Sequence, residues 1–325
     1  MTCAAARFSL GAMLRALLLL LICTAAPAWA AVCESVVRDP ARGRDIPVRL
    51  TLPDNGAPLV PLIVWSPGLG GTLAQGRLYA EAWAEAGLAT LQFSHPGSDA
   101  RVYAEADARA KAAPTPEAAR AARLARVREA AGSVQLAARI ADIGFALSQL
   151  PYGLGACETL RIDQSRLGVG GHSMGAWVAQ VLAGQRLGGP ALPARQPFKA
   201  AMAIAGSPLA PPDARAASAA AMTRPFMLVT GSLDGISPDA TPEAARAQLE
   251  ERTGLWPHLP AGRKYLYVAA GANHMQLAGT SETATSPALA ARLLPILTGF
   301  WTETLLDGPA LADPALAVGD VFEAR

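Results

Sequence analysis

The five residues Gly171-His172-Ser173-Met174-Gly175 constrain this chain more than any other segment. They follow the short apolar run Leu167-Gly168-Val169-Gly170 and precede an apolar stretch of helical period, Ala176 to Leu187. A serine held on a turn between strand and helix projects its hydroxyl above the sheet. Such a turn is so close that the positions two before and two after the serine must be nearly free of side chain. Gly171 and Gly175 meet that demand. The string alone arises by chance in a chain with 30 glycines. The strand before it and the helix after it are what single out Ser173 as a nucleophile.

The rest of the chain supplies the sheet that such a turn requires. Val32 to Val37 and Ile46 to Leu52, separated by the turn-prone Asp39 to Asp45, predict an opening pair of antiparallel strands. Further strands are predicted at Leu59 to Trp65, Leu88 to Phe93, Arg166 to Gly170, Ala200 to Ala205, Phe226 to Thr230 and Tyr265 to Ala269. Between them, Tyr79 to Ala86, Ser133 to Leu150 and Ala176 to Leu187 read as helices, and Pro287 to Leu305 as a closing helix. This alternation predicts an α/β fold: a mainly parallel central sheet with helices on both faces and its site at the carboxyl ends of the strands. Two stretches depart from it. Gly97 to Gly132, rich in Ala and Arg with Pro114 and Pro116 in its middle, reads as a helical insertion, either a lid or a solvated surface excursion. Pro208 to Pro212 reads as a surface loop.

A serine hydroxyl is a poor nucleophile unless a histidine takes its proton and an acid orients the histidine. The chain has four histidines. His172 adjoins the serine and points elsewhere on the turn. His95 lies at the end of an earlier strand, where a structural or pocket-lining part is expected. His258 sits in a Pro-rich loop, whereas His274, in Gly271-Ala272-Asn273-His274, directly follows the last predicted core strand. The order serine, acid, histidine favours His274 as the base and Asp234, beyond Phe226 to Thr230, as the acid, with Asp239 the competitor. Acyl transfer also needs donors aimed at the developing oxyanion. The backbone N–H of Met174 is one, and Leu69 in the glycine-rich loop Ser66-Pro67-Gly68-Leu69-Gly70-Gly71 is assigned the other.

Composition narrows the partners. Of the 28 basic and 26 acidic residues, the first 30 positions hold only Arg7 and Arg15, so the remaining 295 residues are formally neutral. A neutral body with 6% aromatics carries no electrostatic footprint for nucleic acid or an anionic membrane surface, and 51% hydrophobic content excludes wholesale disorder. Residues 1–30 read as a secretory signal: Arg7 and Arg15, an apolar run from Ala16 to Cys23, and Ala28-Trp29-Ala30 before a cut after Ala30. The apolar run is shorter than the roughly 20 residues that span a bilayer, so no stable transmembrane segment is expected after cleavage. Residues 31–325 then form a single domain with two cysteines, Cys33 and Cys157, either bridged in an oxidising compartment or free and buried. Neither spacing nor neighbouring histidine predicts a metal site.

With those residues in place, the chain resembles the α/β-hydrolase superfamily over nearly all of residues 45–305. Leu62 to Gly71, Phe93-Ser94-His95-Pro96-Gly97-Ser98, Asp142 in its helix and Gly171 to Gly175 together resemble the bacterial "predicted dienelactone hydrolase" group, which is similar to platelet-activating-factor acetylhydrolases. Relatives usually carry His where this chain has Pro67, and dienelactone hydrolases proper use cysteine where Ser173 stands. Bacterial cutinases and polyester hydrolases are also similar, through Ser66-Pro67-Gly68, the Gly-His-Ser-Met-Gly turn, and Asp234 followed by Ile236 and Pro238. The resemblance implies a serine hydrolase that cleaves small-molecule or lipid-like carboxylic esters without metal or organic cofactor, and the leader pattern predicts its export. A lipase- or cutinase-like polyester hydrolase, an amidase or peptidase, and a non-catalytic binding protein on the same scaffold are the alternatives.

Overall fold

The computed structural model describes residues 30–187, 197–237, 239–280, 285–312 and 314–325. The predicted leader, apart from Ala30, lies outside the described residues. β1 (Ala31–Asp39) and β2 (Arg44–Leu52) form the expected antiparallel pair, with Val37 opposite Ile46. β3 (Val60–Ser66), β4 (Ala89–Phe93), β5 (Ile162–His172), β6 (Phe198–Ile204), β7 (Phe226–Leu233) and β8 (Lys264–Asn273) run parallel to one another. β2 joins this array antiparallel to β4, and β9 (Val321–Ala324) closes the far edge antiparallel to β8. Among the described residues the spatial order is β1-β2-β4-β3-β5-β6-β7-β8-β9.

The helices follow in chain order: α1 (Arg77–Glu85), α2 (Arg101–Lys111), α3 (Pro116–Ala130), α4 (Ser133–Gln149), α5 (Met174–Leu182), α6 (Arg215–Ala219), α7 (Pro242–Thr253) and α8 (Pro287–Leu305). Successive strand residues point to opposite faces, and the sheet therefore feeds two cores. Leu62 and Val64 of β3, with Phe226 and Leu228 of β7, join Leu136, Ile140 and Ile143 of α4 and Val178 and Leu182 of α5 on one face. Ile63, Trp65, Met227 and Val229 pack on the other with Tyr79 and Trp83 of α1 and Leu293, Ile296 and Trp301 of α8. Covered on both faces, β3 and β4 bury every residue, and β3 therefore reads as a nearly unbroken apolar run, while β4 also buries Thr90 and Gln92.

The chain has an α/β-hydrolase-type fold: a mainly parallel sheet between two helical layers, as the alternation predicts. Three elements are additions to that expectation, the short α6 among them. α7 buries none of its residues fully, so it lacks a strong apolar stripe, and β9 is a four-residue, largely exposed edge strand. α5 begins at Met174, directly on the turn, and stops at Leu182 before Gly184, whose φ of +111° no helix continues. The insertion is a helical hairpin of α2 and α3. Thr115 caps α3 by accepting from Ala118 N–H at 3.2 Å with Pro116 in the first turn, and the pairs Arg126–Glu105, Arg109–Glu129 and Arg123–Asp107 tie the two helices together. Cys33 of β1 and Cys157 are bridged, their Cα atoms 5.7 Å apart across 124 residues of sequence.

Candidate active site

Ser173 sits where β5 ends and α5 begins, with φ 55° and ψ −115°. A non-glycine residue held at positive φ costs on the order of 1–3 kcal/mol, so the surrounding packing must impose it. The glycines show how. A Cβ on Gly171 would meet the Gly175 carbonyl oxygen at 2.3 Å, and one on Gly175 would meet the Ser66 oxygen at 1.9 Å. Both positions therefore have to lack a side chain for β5, the turn and the end of β3 to close on one another.

The bend aims the Ser173 hydroxyl at a base delivered by β8. His274 Nε2 lies 3.0 Å from Ser173 Oγ, and its Nδ1 lies 2.6 Å from Asp234 Oδ1, at the end of β7. Because the carboxylate can only accept, Nδ1 donates to it and Nε2 is left to accept from the serine hydroxyl. Asp234 is buried, and its other oxygen accepts from Thr230 Oγ1 at 2.8 Å. Arg252 of α7 supplies a further partner, 3.2 Å from Asp234 Oδ1, while also donating to Ser207 Oγ at 2.9 Å and to the Ala205 carbonyl at 3.3 Å. The structure thus brings Ser173, His274 and Asp234 together. It leaves Asp239 on an exposed turn accepting from Ser237, and His258 in a short 3-10 turn after α7.

His172 has a different task. Its Nε2–H donates to the His274 carbonyl at 2.9 Å, so it props the loop that carries the base. Burial, reinforced by the neighbouring His274, pulls its pKa down to about 3, which keeps the ring neutral.

The loop after β3 faces this turn. A Cβ on Gly68 would lie 3.3 Å from Ser173 Cβ and 3.2 Å from His172 Nδ1. Of the four N–H groups from Gly68 to Gly71, three are already used. Gly68 donates to Gln75 Oε1 at 2.8 Å, Gly70 to the Ser98 carbonyl at 2.9 Å, and Gly71 to the Gly68 carbonyl at 3.1 Å. Among the described residues the Leu69 N–H has no acceptor. Met174, at the first position of α5, has an N–H that no preceding helical turn can satisfy. The insertion reaches this loop: the Tyr103 ring stacks where a Cβ on Gly70 would stand, and its hydroxyl donates to the Leu69 carbonyl at 3.3 Å. The hairpin therefore packs against the glycine-rich loop after β3.

Behind the loop lies a buried network that sequence reasoning did not assemble. Asp142 of α4 accepts two parallel bonds from Arg44, at 2.7 Å each, one from Arg42 at 2.9 Å, and one from His95 Nδ1 at 3.1 Å. His95 Nε2 then accepts from Ser66 Oγ at 3.1 Å. The trio Ser66, His95 and Asp142 repeats the connectivity of the exposed one, but all three side chains are fully buried, so no substrate reaches them. Burial, with the cations Arg139 and Arg44 nearby, outweighs Asp142 and lowers the His95 pKa to about 4, so the ring is neutral. Burial pushes the Asp142 carboxyl up, but the bonds from His95 and Arg44 override it and hold the pKa at about 2. Arg139, one turn before Asp142 on α4, is also buried and donates into the loop itself. A signal for it was present: Leu136, Arg139, Ile140 and Ile143 share one helical stripe, which places the arginine on the buried face.

Residues 157–259, which include Ser173 and Asp234, match the family model described as Serine hydrolase (FSH1). Among solved structures, a dienelactone hydrolase from Anabaena variabilis ATCC 29413 is 17% identical, with a TM-score of 0.48 over 85% of this chain and 99% of that one. A putative dipeptidyl aminopeptidase IV from Bacteroides ovatus ATCC 8483 is 15% identical, with a TM-score of 0.51 over 86% of this chain; the chain spans 36% of that longer protein. No curated protein sequence matches significantly. The strand order and the turn at Ser173 give the chain an α/β-hydrolase-type fold, and residues 157–259 are similar to the serine hydrolase family. That match supports a hydrolase.

Proposed function

We propose that this protein is an exported serine hydrolase that cleaves carboxylic esters through an acyl-enzyme on Ser173. The observation that carries the reading is the continuous line Asp234–His274–Ser173, with bonds of 2.6 and 3.0 Å, beside a glycine-rich loop whose Leu69 N–H has no acceptor among the described residues. In the first step His274 Nε2 takes the Ser173 proton as Oγ attacks the ester carbonyl, and Asp234 stabilises the imidazolium that forms. Leu69 and Met174 N–H groups receive the negative charge on the carbonyl oxygen. Collapse of the tetrahedral intermediate breaks the bond to the alcohol, which leaves with the proton from His274. Water, deprotonated by His274, then releases the acid and restores Ser173.

Export is supported by the leader pattern of residues 1–30 and by the Cys33–Cys157 bridge, which belongs in an oxidising compartment. One observation favours a lipase- or cutinase-like substrate within the same chemistry. Tyr103, Leu233 and Met275, neighbours of the oxyanion loop, Asp234 and His274, leave 43, 47 and 50% of their surfaces exposed, a rim suited to apolar acyl groups.

A panel of nitrophenyl esters of increasing acyl length, run with Ser173→Ala alongside, tests both readings. Turnover and labelling by a fluorophosphonate probe are expected in the native protein and absent from the variant; undiminished labelling of the variant removes Ser173 from the scheme. A short-chain optimum marks a carboxylesterase, and an optimum at long chains marks the lipase side.

A further inference from the structure

We propose that Arg139 is the positioning residue of the oxyanion hole, fixing the Gly68–Leu69 peptide so that the Leu69 N–H faces the carbonyl oxygen of a substrate at Ser173. The inference rests on the ester-hydrolase reading above. A peptide unit is planar and trans, so its carbonyl oxygen and the following N–H point in opposite directions. Whatever holds the Gly68 oxygen therefore sets the direction of the Leu69 N–H. Arg139 Nη2 donates to that oxygen at 3.0 Å, and Nη1 donates to the preceding Pro67 oxygen at 2.5 Å, so consecutive peptides are gripped by one rigid fork.

The fork is itself fixed from behind. Arg139 Nε donates to Ser98 Oγ at 2.8 Å and Nη2 to the Ser98 carbonyl at 3.2 Å; the same carbonyl accepts the Gly70 N–H at 2.9 Å. Nη1 lies 3.5 Å from Ser66 Oγ, at the end of the chain running through His95 and Asp142 to Arg44. Taking a guanidinium out of water and giving it only neutral acceptors is costly, and stability alone is better served by an apolar residue at such a site. A buried cation on the carbonyl side also polarises the peptide and strengthens its N–H as a donor, which a neutral residue does not do. Pro67 has no side-chain donor and no backbone N–H to steady the loop; the guanidinium supplies that hold from α4.

Arg139→Lys keeps the charge and loses the fork. Its kcat on a nitrophenyl ester is expected to fall roughly 10- to 100-fold with KM changed less than about threefold, somewhat below the 10²–10³ loss that follows complete removal of an oxyanion donor. Ser98→Ala, which frees one arm while leaving the cation in place, is expected to lower kcat in the same direction by a smaller factor. In 15N-labelled protein the Leu69 amide resonance is expected to move in both variants while those of β6 and β7 stay in place. An unchanged kcat in either folded variant, or a KM effect without a kcat effect, overturns the proposal. Should Arg139→Lys fail to fold, Ser98→Ala decides alone. Should Ser173→Ala retain full turnover, the hydrolase reading fails separately, and an unmoved Leu69 amide then overturns the positioning role by itself.

Discussion

At Gly175 a single hydrogen atom in place of a methyl group decides whether the nucleophile exists. A Cβ there would fall 1.9 Å from the Ser66 oxygen, a backbone atom that cannot swing aside, so Gly175→Ala must push α5 away from β3. The overpacking is expected to cost about 2–3 kcal/mol, and a shift of the hydroxyl by about 1 Å to cost on the order of 100-fold in kcat/KM. Urea denaturation and ester kinetics on the purified variant check both; native-like activity would show that the turn tolerates a side chain. The three residues proposed to act directly were legible as candidates because each is tied to a strand end: Ser173 after β5, Asp234 at β7 and His274 after β8. Those that hold them were not, since Arg139 and Arg252 reach the site from helices, by side chains whose direction depends on packing. His172 shows the same limit, for its neighbour in sequence identifies it while its bond to the His274 carbonyl comes from 102 residues away.

Among the elements, those legible in sequence are the ones whose burial is continuous or has a period. β3 and β4 are buried throughout and α4 shows a helical period, and the predicted bounds of all three lie within a residue or two of those observed. α7, which carries Arg252 to Asp234, buries no residue fully and shows none; only its Thr241-Pro242-Glu243 start marks it as a helix. β9 is short, exposed and held mainly by its ladder to β8. The opening strand is a contrasting case. β1 lies at the sheet edge, paired only with β2, and is largely exposed, so its ladder contributes little hydrophobic burial. The Cys33–Cys157 bridge ties it across 124 residues to the loop before β5. Closing a loop of that length restrains the unfolded chain by up to roughly 4–5 kcal/mol in the chain-entropy model, of which about 2–4 is commonly realised. Cys33→Ser with Cys157→Ser is expected to lower unfolding stability by that amount while leaving kcat near the native value, because the bridge is remote from Ser173 in the fold. Equal denaturation midpoints with and without reductant would show that the bridge does not restrain the chain.

For the molecule as a whole, the two buried imidazoles make stability a function of pH. In the unfolded chain a histidine takes up its proton near pH 6.5. In the folded protein burial keeps His95 neutral down to about pH 4 and His172 down to about pH 3. As pH falls below 6.5 the unfolded state therefore binds protons that the folded state refuses, and stability declines by about 1.4 kcal/mol per pH unit for each histidine. Below about pH 4 His95 titrates in the folded state as well and its share of the slope ends. Asp142 then continues the loss, because its carboxyl is held at about 2 when folded, against the ordinary 3.8, so the stability it contributes above pH 4 disappears between there and pH 2. Both groups belong to the network behind the glycine-rich loop after β3, and acid thus loosens the fold at the point where the proposed oxyanion donor is anchored. Urea denaturation between pH 7.5 and 4.5 is expected to show a steady fall, and His95→Asn, which retains a donor toward Asp142, is expected to remove about half of the slope whatever its effect on stability at pH 7.5. A flat profile in the native protein, or an unaltered slope in the variant, would show that His95 gains its proton in the folded state as readily as in the unfolded one.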